Sequence, residues 1–381
     1  MANRKFFPIF FGGMAIYNPN IIPHPTRADL WIVVAQREQA GEEFHHSEQV
    51  TCAAGFLNDV LTCTQEPTVL PLEPSINGKC EGDLAYHNFR PGPRDGRVFM
   101  TPGGPMIMYG SQSQYSCLGI WTQDLRTLSP ELVVESALPQ IFRGATEVQR
   151  PAPVGPIQKN FFFFFDSMNK AYIHHDIYPK RVFAEINFDG SVGEDIAPAA
   201  YAHDEMCLAQ YMPSVAKEWE SIHQATNSLA ITLCQRADPG CQPNDNNTLI
   251  MSFMQHKKFH DFHGEYEPYL FLFKQTAPFE LYAISRRPIW IAGRGPLTKE
   301  THSLLFDFYQ KGREIPKGHS EMFYVTSMSW KTHGQKYHGY IDDPLFLNFG
   351  IEDTRAGAID ILAGDLVQDL GLCGDMGSSR I

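Results

Sequence analysis

The sequence predicts an all-β chain closed into a five-bladed β-propeller, and three observations carry that expectation. The first is the stretch 150–190. It holds Gln158-Lys159-Asn160, the five phenylalanines 161–165, the turn residues Ser167 and Asn169, then Tyr172-Ile173-His174-His175 and, past Pro179, Val182-Phe183-Ala184. Aromatic and β-branched residues favour strands, and the Asn and Pro positions break them. Five apolar residues are too few to span a bilayer but suit a strand buried on both faces. The second observation is that similar short strands recur in about five clusters. The third is that no amphipathic helices of ten to fifteen residues alternate with them, which disfavours an α/β sheet. A propeller places the first strand of each cluster along a central channel. A β-sandwich, the competing fold, would need fewer strands and shorter loops at this length.

The clusters follow in order. Ile16-Tyr17-Asn18-Pro19 through Pro23, and Leu30 to Ala35, form a strand, a turn and a strand, followed by an acidic turn near Glu42-Glu43. Residues 66–96 read as an ordered surface loop. Arg97-Val98-Phe99-Met100, residues 105–109 and 117–121 make the second cluster, and 158–188 the third. A short helix is expected at 205–211. Residues 228–234, 248–254, 269–273 and 281–284 make the fourth cluster. Residues 322–327, 344–349 and 358–361 make the fifth, with a helical turn or two at 363–370. The whole chain, 1–381, is read as a single domain.

Net charge and cysteine content narrow the function. At −12 the chain is a poor match for nucleic acid or an anionic membrane surface. Its eight cysteines form no CxxC pair, so a zinc or thioredoxin-like site is not indicated. Cys52/Cys63 and Cys234/Cys241 are close enough to bridge locally, and Asn246-Asn247-Thr248 is a glycosylation sequon. Both point to the secretory lumen or the extracellular space. Residues 6–14 are a short apolar run after a basic start and lack a convincing cleavage site, so no signal peptide or transmembrane helix is visible; a targeting or anchor segment removed from the N-terminus is part of that expectation. No nucleotide or hydrolase fingerprint such as GxGxxG, a P-loop, GxSxG or HExxH is present, and no cofactor is expected.

Each cluster opens on polar residues: Tyr17-Asn18-Pro19, Asp95-Gly96-Arg97, Gln158-Lys159-Asn160, His223 to Asn227, and Tyr340-Ile341-Asp342-Asp343. In a propeller these openings converge on one end of the channel. Amides, carboxylates and cations gathered there suit a polyhydroxylated ligand, whose hydroxyls each need a donor and an acceptor once desolvated. Capping of turns by Asn18, Asn160 and Asn227 is the competing explanation. Chemistry at an anomeric carbon needs an acid or a base. The expected catalytic carboxylates are Asp59, Asp95, Glu265, Asp342 and Asp343, with Asp166 and Glu267 also considered. Expected substrate contacts are Asn18, Arg97, Lys159, Asn160, His174, Asn227, His256, Arg286, His338 and Tyr340. Lys159 and the Arg286-Arg287 pair are candidates for donor phosphate. The cluster from His256 to Glu265 has no strong metal-ligand spacing, and no metal is expected.

Laid out this way, the chain resembles the five-bladed propellers that act on glycosides, including mannoside phosphorylases. Asn18-Pro19 with Ile21-Ile22-Pro23 resembles their first-blade opening, Asp95 to Phe99 an acid–proline–arginine segment with Gly96 in place of the proline, and Lys159-Asn160-Phe161 a third-blade opening. His338-Gly339-Tyr340-Ile341-Asp342-Asp343, with Glu352-Asp353 and Ile359-Asp360, is similar to fungal β-1,2-mannosyltransferases. The resemblance implies transfer of a sugar, mannose first, from a donor such as GDP-mannose or mannose-1-phosphate to a glycan or oligosaccharide acceptor. A glycoside hydrolase or phosphorylase, or a carbohydrate-binding propeller without chemistry, are the alternatives.

Overall fold

The computed structural model describes residues 5–40, 45–133, 141–215, 217–260, 263–298 and 317–374. The acidic turn expected at Glu42-Glu43, Asp261 of the His/Asp cluster and most of the polar loop before Lys317 lie outside the described residues.

The strands fall in chain order into five radial sheets. β1 (Phe7–Phe10) precedes them. Blade 1 is β2 (Tyr17–Pro23), β3 (Trp31–Ala40), β4 (His45–Leu57) and β5 (Val60–Cys63), with the two-residue β6 (Thr68–Val69) beside β4. Blade 2 is β7 (Arg94–Thr101), β8 (Gly104–Gln112), β9 (Leu118–Asp124) and β10 (Thr146–Val148). Blade 3 is β11 (Phe162–Phe165), β12 (Ala171–Asp176) and β13 (Val182–Glu185). Blade 4 has an inner edge in two pieces, β14 (Glu220–Gln224) and β15 (Leu229–Thr232), both paired to β16 (Thr248–His260), followed by β17 (His263–Lys274) and β18 (Leu281–Ser285). Blade 5 runs from β19 (Phe323–Trp330) to β21 (Pro344–Ile351) and β22 (Arg355–Leu362), with β20 (His338–Tyr340) crossing to pair with β15.

The ring closes through its first strand. β1 pairs antiparallel with β22 as the outer strand of blade 5 and parallel with β5 of blade 1. The short apolar run after the basic start is part of the fold: Phe7 and Ile9 are buried in the blade 1 core. β23 (Leu370–Leu372) caps blade 4 on β18. The expected helix is present as α1 (Tyr201–Tyr211), and a single helical turn occupies Ala363–Leu366.

The phenylalanine strand is buried on both faces, as its composition demands. Phe163 meets Phe99 and Phe142 on the blade 2 side, while Phe162 and Phe164 meet Phe271, Phe273 and Phe279 on the blade 4 side. Buried amides stitch the inner strands together. Asn20 donates to the Gly96 carbonyl and accepts from the Val98 amide. Asn227 does the same with both backbone atoms of Met328, and Gln255 with those of Val325. Each such pair satisfies backbone groups that no ladder reaches.

All eight cysteines are paired: Cys52–Cys63, Cys80–Cys117, Cys207–Cys373 and Cys234–Cys241. They staple a hairpin, the long 66–96 loop, the C-terminal strand and a blade 4 turn. Four disulfides are consistent with an extracytoplasmic location. Among the described residues no helix is long and apolar enough to cross a membrane.

Candidate active site at the channel mouth

The inner strands β2, β7, β11 and β19 all start at one end of the channel, and local backbone geometry there is shared. Asn18, Asp95 and Asn160 sit at the starts of blades 1, 2 and 3 with φ of 50°, 52° and 59°. Asn and Asp tolerate this left-handed region better than other side chains. In blades 1 and 2 the same positions are bulges, where register slips between Tyr17 and Asn20 and between Arg94 and Arg97. A bulge re-aims side chains and recurs beside active sites. At Asp95 it is braced on three sides. Gln36 Oε1 accepts from the Asp95 amide at 2.6 Å, Asn20 holds the Gly96 carbonyl, and Gln49 packs on Gly96 so closely that a Cβ there would lie 2.2 Å from its Oε1. The glycine at 96 thus lies under the Gln49 side chain, which would have to shift to admit a Cβ.

Asp95 is exposed to the mouth, and its carboxylate has no hydrogen bond or ion pair among the described residues. Arg97 is buried and donates to the Ala225 carbonyl at 3.0 Å and to Tyr324 Oη at 3.2 Å. Tyr324 in turn donates to Asn160 Oδ1 at 3.3 Å. Blades 2, 3, 4 and 5 are therefore linked across the channel by one chain of polar contacts. A cleft lined by Arg94, Asp95, Arg97, Lys159 and Asn160 opens beside it.

Blade 4 adds the remaining groups by register. His223 faces Gln255, and Ser221–Lys257–Tyr266 lie across from one another on β14, β16 and β17. Cross-strand partners share a face, so His223, Lys257 and Tyr266 all face the mouth. His223 stacks on Tyr324, and Tyr266 meets both rings edge-on. Burial, then the positive charges of Lys257, Arg97 and Lys159, push His223 down to about 4. Burial and the neighbouring Lys159 lower Lys257, which Asp353 partly offsets. Burial, then Tyr324, Asp353 and Asp95, raise Tyr266. Three cations thus act on His223, and two carboxylates, Asp353 and Asp95, on the adjoining Tyr266.

Asp353 reaches the mouth from the β21–β22 turn, where Glu352 and Asp353 both adopt positive φ. The turn is anchored by Glu352, which is buried and accepts from the Met322 amide and from His263 Nε2. His263 Nδ1 in turn lies 3.3 Å from His319 Nδ1, so the two rings share a hydrogen bond. The pair is a fixed strut rather than two independent bases.

Of the sequence candidates, Asp95, Arg97, Lys159 and Asn160 stand together at the mouth. Asn18 occupies the matching bulge of blade 1 but is buried, its Oδ1 only 2.7 Å from where a Cβ on Gly350 would lie. The others are corrected by the structure. Asp59 is an exposed turn residue at the outer edge of blade 1. Burial alone would raise Glu265, but the Ser320 hydroxyl and amide and Arg294 outweigh it and hold it ionised on the β17 rim. Asp342 and Asp343 lie in the turn before β21, at the opposite end of blade 5 from the mouth. Asp342 caps the Arg236 and Ala237 amides, and Asp343 takes Arg236, Gln335 and the Tyr340 amide. His338 bonds Thr232 at the far end of β15, and Tyr340 lies under the Arg236 guanidinium. Asn227 spends its amide on Met328. His174 is fully buried between Gln224 Oε1 and Arg181. His256 is on the other face of β16 from Lys257, 3.5 Å from Glu220 and from Glu267. Arg286 is exposed on the outer edge of blade 4.

Lys257, Tyr266, Tyr324 and Asp353 were not singled out from sequence as site residues, and His223 was named only as the start of the fourth polar opening. Among the described residues, no group of three or more His, Cys, Asp or Glu side chains is arranged to hold a metal.

No family model matches the chain, and no curated protein matches it. Solved structures do. A β-1,2-mannobiose phosphorylase from Listeria innocua superposes with a TM-score of 0.49 at 10% identity, covering 93% of this chain and 92% of that one. A thermostable family-43 glycoside hydrolase gives 0.42 at 13% identity, over 97% and 95%. The catalytic domain of a Coprinopsis cinerea GH62 α-L-arabinofuranosidase gives 0.42 at 11%, over 93% and 96%. The five blades are defined by this chain's own sheets.

Proposed function

We propose that the channel mouth catalyses phosphate-dependent glycosyl transfer: cleavage of a glycosidic bond by inorganic phosphate and, in reverse, transfer from a sugar 1-phosphate to an oligosaccharide hydroxyl. The observation that supports this reading is the convergence of Arg97, Lys159 and Lys257 around the neutral His223, opposite Asp95. Like charges held this close are costly unless an anion joins them. Phosphate, with its delocalised charge and several acceptor oxygens, fits an arginine and two lysines.

The roles follow from the chemistry. Asp95, in its acid form, gives its proton to the glycosidic oxygen as the bond from that oxygen to C1 breaks. A phosphate oxygen held by the cations forms the new bond to C1 from the opposite face. The products are a sugar 1-phosphate of inverted configuration and a saccharide with a free hydroxyl. Because the nucleophile is already an anion, no second carboxylate is needed. In reverse, the Asp95 carboxylate takes the acceptor's proton. Asn160 and Tyr324 are placed to bond sugar hydroxyls.

Hydrolysis is the second reading, and Asp353 favours it: a second mouth carboxylate could activate water. Transfer from a nucleotide sugar such as GDP-mannose is the third arm of the test. Mannose is the first sugar to try, on the strength of the sequence segments, although His338 to Asp343 now has a structural role. The purified protein would be incubated with β-linked mannobioses and other disaccharides, with and without phosphate, and with short acceptors plus mannose-1-phosphate or GDP-mannose. Sugar 1-phosphate formed only with phosphate is the expected result. Shortening without phosphate would replace it with the hydrolase, and extension only from GDP-mannose with the nucleotide-sugar transferase.

A further inference from the structure

A second cavity, of about 190 Å³, opens at the opposite end of the channel, among the lower loops of blades 1, 2 and 5. Its walls are aliphatic, built from Ile22, Met100, Pro105 and Leu132. Four polar side chains complete it, His24, Arg126, Gln335 and Lys336, and all but Gln335 present only donors.

His24 is buried, and its Nδ1 accepts from the amides of Thr26 and Arg27, each at 3.2 Å. That fixes the ring proton on Nε2, which is left as a donor. Arg126 is clamped by Asp124, whose carboxylate takes Nε and Nη2, so its charge is neutralised in place. Lys336 is half-buried and has no hydrogen bond or ion pair among the described residues. Glu131, a carboxylate that acts on His24, is exposed, takes Gln65 Nε2 and does not line the cavity. Gln335 turns its amide nitrogen to Asp343, and its Oε1 is buried, out of reach of solvent and without a hydrogen-bond partner among the described residues.

The cavity therefore offers an aliphatic wall, an uncompensated ammonium and an imidazole N–H, with no accessible side-chain acceptor. A polyhydroxylated ligand needs acceptors as well as donors, so a sugar is a poor match. We propose that this cavity binds an aliphatic monocarboxylate, with the carboxylate on Lys336 and His24 Nε2–H and the chain along the wall. The volume equals about six waters of liquid, which limits the chain to roughly six to eight carbons. The site is remote from the mouth and does not depend on what the mouth catalyses.

The test is calorimetric titration of the full chain with sodium hexanoate, hexan-1-ol and hexylamine, with ligand-observed NMR as a second readout. Hexanoate is expected to bind with a Kd of roughly 0.1–1 mM, within the range a ligand of eight heavy atoms can reach, and at least tenfold more tightly than either comparison. Lys336→Met should weaken hexanoate about tenfold and leave hexanol unchanged. Met100→Trp, which fills the cavity, should abolish both, and thermal melts confirm that each variant folds. Three results would each overturn the proposal: no saturable binding of hexanoate up to 20 mM, equal binding of hexylamine, or hexanoate affinity unchanged in Lys336→Met.

Discussion

The two ends of the channel use nearly the same residue types to opposite effect. At the lower end Asp342, Asp343, Arg236, His338 and Tyr340 form a closed set in which each charge has its partner. Burial alone would raise Asp343, but Arg236, the Tyr340 amide and Gln335 outweigh it and hold the carboxyl below its ordinary value. At the mouth, Asp95, Lys159 and Lys257 have no ion-pair partner among the described residues; burial and then Lys159 lower Lys257, and burial and then the three cations lower His223. A saturated polar cluster is structure, whereas an unsaturated one held in place by a rigid frame is a site waiting for a ligand.

The largest effect that tests this contrast is expected at Asp95. Asp95→Asn keeps the shape and the bulge but removes the proton. If Asp95 is the general acid, kcat/KM for the disaccharide should fall by about 10²–10⁴-fold, the usual worth of such a group. The melting temperature should not move, because the carboxylate has no partner to lose. A tenfold or smaller loss would move the acid role to Asp353.

The mirror experiment is at the lower end. Asp343→Ala strips two bonds from Arg236 and one each from Gln335 and the Tyr340 amide. Stability should drop by about 2–3 kcal/mol, discounted from a fully buried pair because Arg236 is half exposed. Denaturant unfolding measures the loss, and kcat/KM should stay within twofold. Loss of activity without loss of stability would mean the two ends have been assigned the wrong way round.

What could be read from sequence follows the same line. Strands were legible because apolar content and turn residues mark them, and the phenylalanine run fixed blade 3. Asp95, Arg97, Lys159 and Asn160 were legible because they immediately precede an apolar inner strand. Asp342-Asp343 carries the same signature, but local pattern does not say whether a turn precedes a strand leaving the mouth or follows one arriving at the far end. Lys257 was out of reach for a different reason. It lies on the second strand of blade 4, and only the register across β14, β16 and β17 puts it, rather than His256, at the mouth. A period of two makes that choice absolute, and a shift of one residue would exchange them. Tyr324 and Asp353 come from blade 5, about 160 residues or more beyond Asn160, and only ring closure brings them together.

A pH titration of stability tests whether the buried histidines are kept neutral, those of the core together with His223 at the mouth. His174 and His175 are buried neutral in blade 3. Burial lowers His174 well below its ordinary value, and it pushes His175 down to about 3 despite the Gln149 carbonyl. Above the unfolded value near 6.5 neither form of the chain is protonated there, and stability is full. As pH falls below that value, the unfolded chain binds protons that the folded chain refuses, so stability is lost progressively toward the folded value. For His175 alone the loss is about 2 kcal/mol at pH 5. Chemical denaturation at pH 7 and pH 5 should show it, and His175→Leu should flatten the slope. An unchanged slope would mean these rings are not kept neutral.

Lys257→Met should give the smallest effect and the sharpest one. Removing one of three cations weakens the anion site without touching Asp95, so KM for phosphate should rise roughly 10- to 30-fold, about the worth of one charge-assisted contact. With phosphate saturating, kcat should change little. In the free protein the same substitution takes one positive charge away from His223. Stability without phosphate should therefore stay level or rise slightly, while the thermal stabilisation that phosphate gives the wild type should shrink. Opposite signs for stability and affinity from one substitution are what a site strained in favour of its ligand predicts. A fall in both would make Lys257 an ordinary structural residue and would weaken the case for phosphate at the mouth.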